Sequence, residues 1–165
     1  MAQSQTPANP AACARYGTPA LCGPPPPCGT ALAASIGGGG VAALGDGVSG
    51  DVRMGFNSNG QIYFQATGGL GGGAQAGAAV SVFGSMGVQS GPLPVGPSTS
   101  TSGSLLVQGV YGLGGGQSIN VSTDGADFGT DTKISAGDFV SAGAIYVQKS
   151  FTIATPTSGC TVQGN

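Results

Sequence analysis

Glycine fills 34 of the 165 positions, and it is not segregated into a linker. It sits inside strand-like runs of Val, Ile, Ala, Leu and Phe. A residue without a Cβ weakens a strand, yet it lets the backbone bend sharply or approach another backbone closely. The chain therefore reads as a β-rich domain whose sheet curls tightly.

The length suits one domain. A chain of about 150 residues buries roughly 70% of its unfolded surface, although Gly and Ala add little apolar area each. Six Phe and four Tyr, with Leu, Ile and Val, must supply most of the hydrophobic driving force. Only ten residues are charged, for a net charge of -2. The four cations, Arg15, Arg53, Lys133 and Lys149, are too scattered to neutralise a run of phosphates, so nucleic acid is excluded as a partner. So weak a charge on a soluble surface favours association, which points to a membrane or to self-assembly. Residues 1–10 lack the basic-then-apolar pattern of a secretory signal. No apolar run reaches the length of a transmembrane helix.

Three segments differ in composition. Residues 1–35 hold seven of the eleven prolines, with Pro24 to Pro27 unbroken. Such a run favours polyproline II and reads as a Pro/Cys-rich tether. Residues 36–155 read as the Gly-rich antiparallel β domain, and residues 156–165 as a tail. Cys13, Cys22, Cys28 and Cys160 are disulfide candidates, with three pairings open. A bridge from the N-terminal cluster to Cys160 would tie the two ends together. Zinc is not expected: the C-x8-C-x5-C spacing lacks a short C-x2-C pair, and no histidine can assist.

Alternation is the clearest structural signal. Val52, Met54 and Phe56 share one face, as do Ile62, Phe64 and Ala66. Ala76, Ala78, Val80, Val82, Met86 and Val88 form a third row, and Ile145, Val147, Phe151 and Ile153 a fourth, which Lys149 interrupts. Asn59-Gly60 lies between two such rows and predicts a hairpin. Asp46-Gly47 and Asp124-Gly125 are further turn signals, and Ala31 to Ser35 suits a short helical turn. Gly91 to Pro97 breaks the pattern with three prolines and reads as a loop. The expectation is an all-β fold: an antiparallel up-and-down barrel or strongly coiled sheet of about eight strands, wrapped around a thin apolar interior. Gln65 before Gly69 to Gly73, and Gln108 before Gly112 to Gly116, suggest a weak internal repeat.

The usual tools of enzymatic chemistry are scarce. The chain has no histidine, and all six of its acidic residues are aspartates. A nucleophilic triad therefore has no imidazole base. Asp46, Asp51, Asp124, Asp127, Asp131 and Asp138 mostly sit beside Gly or Thr and read as turn residues. The Asp124, Asp127, Asp131 cluster matches no calcium-loop spacing. The Gly-Leu-Gly-Gly-Gly segments lack the third glycine, the lysine and the helix that phosphate-binding loops require. Asn120-Val121-Ser122 matches the glycosylation triplet. No catalytic, cofactor-binding or metal site is expected, and no cofactor; the reading is non-enzymatic.

The segment Met54 to Gly73 combines an Asn-Gly hairpin, a Gln-Ala-Thr-Gly strand and a polyglycine run, followed by the small-residue strand Ala76 to Val88. This pattern resembles the glycine-rich C-terminal domains that follow the core of RHS-repeat-associated bacterial proteins. The resemblance covers roughly residues 36–155. It implies a secreted or surface-exposed bacterial module, a toxin tip acting at a membrane, with an immunity-type protein as a partner. The residues themselves leave two other readings open: a subunit of an extracellular fibre, and a soluble structural or adhesive barrel.

Overall fold

The computed structural model describes residues 27–123, 127–158 and 160. Cys13 and Cys22, most of the tether, Asp124 and most of the tail lie outside these residues. The described chain holds four β-strands: β1 (Ala31–Asn57), β2 (Ile62–Gln89), β3 (Gly96–Ser122) and β4 (Phe128–Ala154). All pairings are antiparallel, in the order β1-β2-β4-β3. The sheet curls into a half-barrel, and the described residues contain no helix. Ala31 to Ser35, expected as a turn, open β1.

Four strands stand where about eight were expected, because the glycine-rich stretches bend a strand without ending it. Each strand has 27 or 28 residues, against the usual 3–10. Register shifts fall mid-strand: Leu44/Asp46 in β1, Gly73/Gln75 in β2, and Leu106/Gln108 in β3 opposite Ala144/Ser141 in β4. These bulges lie beside Gly45, Gly73 and Gly143, all at positive φ. A second row of positive-φ glycines, Gly77, Gly137 and Gly112, crosses β2, β4 and β3 a few residues away. Bulges and left-handed glycines let a ladder turn a corner while its hydrogen bonds continue. Asp46-Gly47, a turn signal in the sequence, marks such a corner.

The two corner rows fold the sheet across its middle, so the edge strands β1 and β3 each come back against their own first half. The contacts of β1 record this. A Cβ at Gly39 would lie 2.6 Å from the Asp51 Cβ, and one at Gly55 2.6 Å from the Ser35 Cβ. The free ends are pinned by Ser58 N–H donating to the Leu32 carbonyl (2.9 Å) and by Thr123 N–H donating to the Thr101 carbonyl (3.2 Å). The molecule thus has a rounded end at the corners and an open end, where the hairpins and the described chain termini gather. At the open end Cys28 is bridged to Cys160, 132 residues away, tying the ends together as anticipated.

The topology is not up-and-down. Residues 90–95 carry the chain past an empty place in the sheet, and β4 returns to fill it between β2 and β3. This is the loop marked by Pro92 and Pro94; Pro97, expected in it, lies instead at the start of the edge strand β3. Asn59-Gly60 does close a hairpin, with Gly60 at φ 80°. The two Gly-Leu-Gly-Gly-Gly runs are not equivalent in the fold: one precedes the corners of β2, and the other follows the corner of β3.

Candidate functional site

The alternating rows are real, but the expected sidedness is reversed. Ile62, Phe64, Val80 and Val82 share one face of the sheet, and that face points outward. So do Val52, Met54, Phe56, Ile145, Val147, Phe151 and Ile153. Among the described residues 28 large apolar or aromatic side chains are exposed. They occur on all four strands and on both halves of the fold, so the apolar surface runs around the molecule rather than forming one patch. The thin oily interior anticipated from the sequence shrinks to a small cluster built from other residues, because the interior has no room for these rows. Inward positions of β1 include Gly37, Gly39, Gly47 and Gly55, and each closes on backbone or side chain from another part of the fold.

What lies inside is mostly polar. Buried residues include Gln61, Gln75, Gln108, Ser118, Asp131, Ser135, Ser141 and Thr152. A small apolar cluster of Val41, Leu106, Val110, Phe139, Ala144 and Tyr146 sits near the corners. Between it and the open end lies a charged cluster. Arg53, from the second half of β1, reaches across to Asp131 on the first half of β4 (Nη1 to Oδ1, 3.3 Å) and pairs with Asp51 beside it (Nη2 to Oδ1, 3.1 Å). Asp131 also accepts from Ser118 Oγ (3.1 Å) and Asn120 Nδ2 (3.0 Å). The asparagine of the glycosylation triplet is half-buried and its amide is turned to Asp131. Phe83 lies between two cations, with the Arg53 guanidinium 4.8 Å and Lys133 Nζ 5.7 Å from its ring centre.

Two carboxylates and two cations balance in charge; Arg53 holds both carboxylates directly, as buried charge requires, while Lys133 rests on the Phe83 ring. Toward the rounded end the polar groups continue. Gln108 Nε2 donates to Ser135 Oγ (2.7 Å), which bonds Ser81 Oγ (2.6 Å), and Tyr146 Oη donates to Gln75 Oε1 (2.5 Å). Among the described residues two buried side-chain oxygens lack a protein partner, Ser49 Oγ and Gln108 Oε1; both residues line an internal cavity of about 20 Å³, the size of one water molecule. At the open end Gln61 bonds the Leu93 and Thr155 carbonyls through Nε2 (2.8 and 3.0 Å) and accepts from Asn57 Nδ2 (3.1 Å).

The aspartates that the sequence grouped do not come together. Asp127 accepts from the Ser90 N–H (3.0 Å), Asp131 faces inward, and Asp124 lies outside the described residues. Asp46 and Asp138 are exposed near the corners. Among the described residues no three His, Cys, Asp or Glu side chains converge as metal ligands, and no helix is long and apolar enough to cross a membrane. The Asp51, Arg53, Asp131, Lys133 cluster was missed in the sequence. Its signal was there: Asp51 and Arg53 alternate with Val52 and Met54, and Asp131 and Lys133 with Thr132 and Ile134. The charges therefore occupy the faces opposite the apolar rows. No family model, no curated protein and no solved structure matches the chain.

Proposed function

We propose that this domain is a non-enzymatic β-barrel module that acts at a membrane, with its apolar outer face against lipid. One observation carries the reading: the fold is inverted, with a paired charge cluster inside and large apolar side chains all around the outside. A second copy could cover only one side of such a surface. A lipid phase covers the whole circumference, and outer-membrane barrels show the same apolar-out, polar-in alternation. The edge strands suit this setting, because β1 and β3 turn back on themselves. Lipid tolerates no open sheet edge.

The resemblance to RHS-associated C-terminal domains belongs to the same reading. It would make the chain the secreted tip of a bacterial toxin, with an immunity-type protein guarding the producing cell. Flotation with phosphatidylcholine vesicles, with dye release measured in parallel, tests the proposal. Co-migration with the vesicles is the expected result. A clean monomer that stays in the aqueous fraction would refute it, and long assemblies without lipid would favour the fibre instead.

A further inference from the structure

The outward aromatic residues are sorted by height. Six Phe are present. Phe83 and Phe139 are buried, while Phe56, Phe64, Phe128 and Phe151 point outward. All four outward ones lie within three residues of a strand end at the open end of the fold: Phe56 before Asn57, Phe64 after Ile62, Phe128 opening β4 and Phe151 before Ala154. Phe56, Phe64 and Phe151 lie on neighbouring strands of one half of the folded sheet and Phe128 on the other, so together they mark a belt at one level. The remaining outward aromatic among the described residues is Tyr111, at 93% exposure the most solvent-accessible large side chain of the surface. It sits beside Gly112 at the rounded end. Among the described residues no outward aromatic lies between these two levels.

The separation can be measured on β4. Tyr111 is in register with Asp138, ten residues along β4 from Phe128. At about 3.3 Å per residue this is about 33 Å of strand. A tilt of about 35–45° reduces it to about 23–27 Å. The outward apolar band of a membrane barrel is about 25 Å tall and is flanked by aromatic girdles. Asp46 and Asp138 are exposed beside the Tyr111 level, and the Asn57–Gln61 network and the disulfide lie beyond the phenylalanine belt, so each end of the band carries charged or polar groups.

We infer that the module spans the bilayer along its long axis, with the Phe56/Phe64/Phe128/Phe151 belt at one headgroup boundary and Tyr111 with the rounded end at the other. This rests on the membrane reading and adds an orientation to it. The ligand is the bilayer itself, fitted by thickness rather than by headgroup chemistry.

The chain has no tryptophan, so single substitutions F128W, Y111W and V82W each place one reporter. Each variant is bound to phosphatidylcholine vesicles whose acyl chains carry bromine at a shallow or a deep carbon. The tryptophans at 128 and 111 should be quenched most by shallow bromine, and the one at 82 most by deep bromine. Iodide added outside the vesicles should reach only one of the two ends. If the vesicles bind the protein but the tryptophan at 111 is quenched most by deep bromine, or iodide reaches both ends, the spanning orientation is overturned and the membrane reading stands. If the variants neither float with vesicles nor are quenched, the membrane reading itself fails.

Discussion

Lys149 is the charge that most directly probes the proposed orientation. It is exposed on the outward face of β4, between Val147 and Phe151. It lies six residues from the corner at Gly143 and five from the strand end at Ala154, or about 20 and 16 Å along the strand. That is the middle of the band. A lysine facing lipid at the bilayer midplane costs about 2–4 kcal/mol, falling to about 0–1 kcal/mol near an interface. Since 1.4 kcal/mol is a factor of ten, Lys149→Leu should tighten vesicle partitioning by roughly 30- to 700-fold. The control is Thr132→Leu, which adds apolar surface at an exposed outward position without removing a charge. Its effect should be clearly smaller, since burying one apolar side chain is worth about 1.5–3 kcal/mol at most and threonine already supplies part of it. Titrating vesicles into protein and following flotation gives both partition constants. A Lys149→Leu change no larger than the control would place Lys149 outside the hydrocarbon and refute the reasoning.

The interior and the corners carry the remaining expectations. Arg53→Met leaves Asp51 and Asp131 facing each other across the fold, and breaking a buried pair by removing one partner costs about 3–5 kcal/mol; denaturant unfolding followed by circular dichroism should show the loss. Asp51→Asn should cost less than Asp131→Asn in the same assay, because Asp131 also holds Ser118 and Asn120. Gly39→Ala should destabilise by at least about 1–3 kcal/mol, since its Cβ would meet the Asp51 backbone at 2.8 Å. Gly109→Ala, with nothing within 4 Å of the added carbon, should be neutral or slightly stabilising, and equal effects would contradict the folded-back geometry. Reducing Cys28–Cys160 should cost about 2–5 kcal/mol, as expected for a bridge closing a long loop; an unchanged unfolding midpoint after reduction would show that the bridge adds nothing.

Much of the architecture was legible because alternation reports faces faithfully. The Val52, Ile62, Val80 and Ile145 rows and the Asn59-Gly60 hairpin appear where the pattern put them, and the proline-marked loop does so up to Val95, with Gly96 and Pro97 already opening β3. The strand number was not legible, because a glycine pair inside a run looks the same whether the ladder ends there or bends. Gly45 and Gly73 bend it. The order β1-β2-β4-β3 was also hidden, since nothing local in residues 90–95 says whether the next strand pairs beside β2 or leaves a place for β4. The cross-fold partnership of Arg53 and Asp131 needs residues 78 positions apart to meet, and only the corners bring them together.

Sidedness is the instructive failure, because alternation separates two faces without saying which one is inside. Hydrophobicity alone votes for the Val52, Met54, Phe56 face. Volume votes the other way. On β1 the opposite face reads Ser35, Gly37, Gly39, Val41, Ala43, Gly47, Ser49, and only that face lets the two halves of the strand close on each other. Packing demands that facing surfaces fit without voids, and a face of glycine, serine and alanine fits against itself at a spacing that leucine or phenylalanine would forbid. Once the small face is inside, the few long polar side chains it carries must find partners there: Arg53 pairs with Asp131, and Gln108 with Ser135. The large apolar face is then left outside on every strand. Glycine content, the feature that first suggested a tightly curled sheet, is therefore also what turns the molecule inside out.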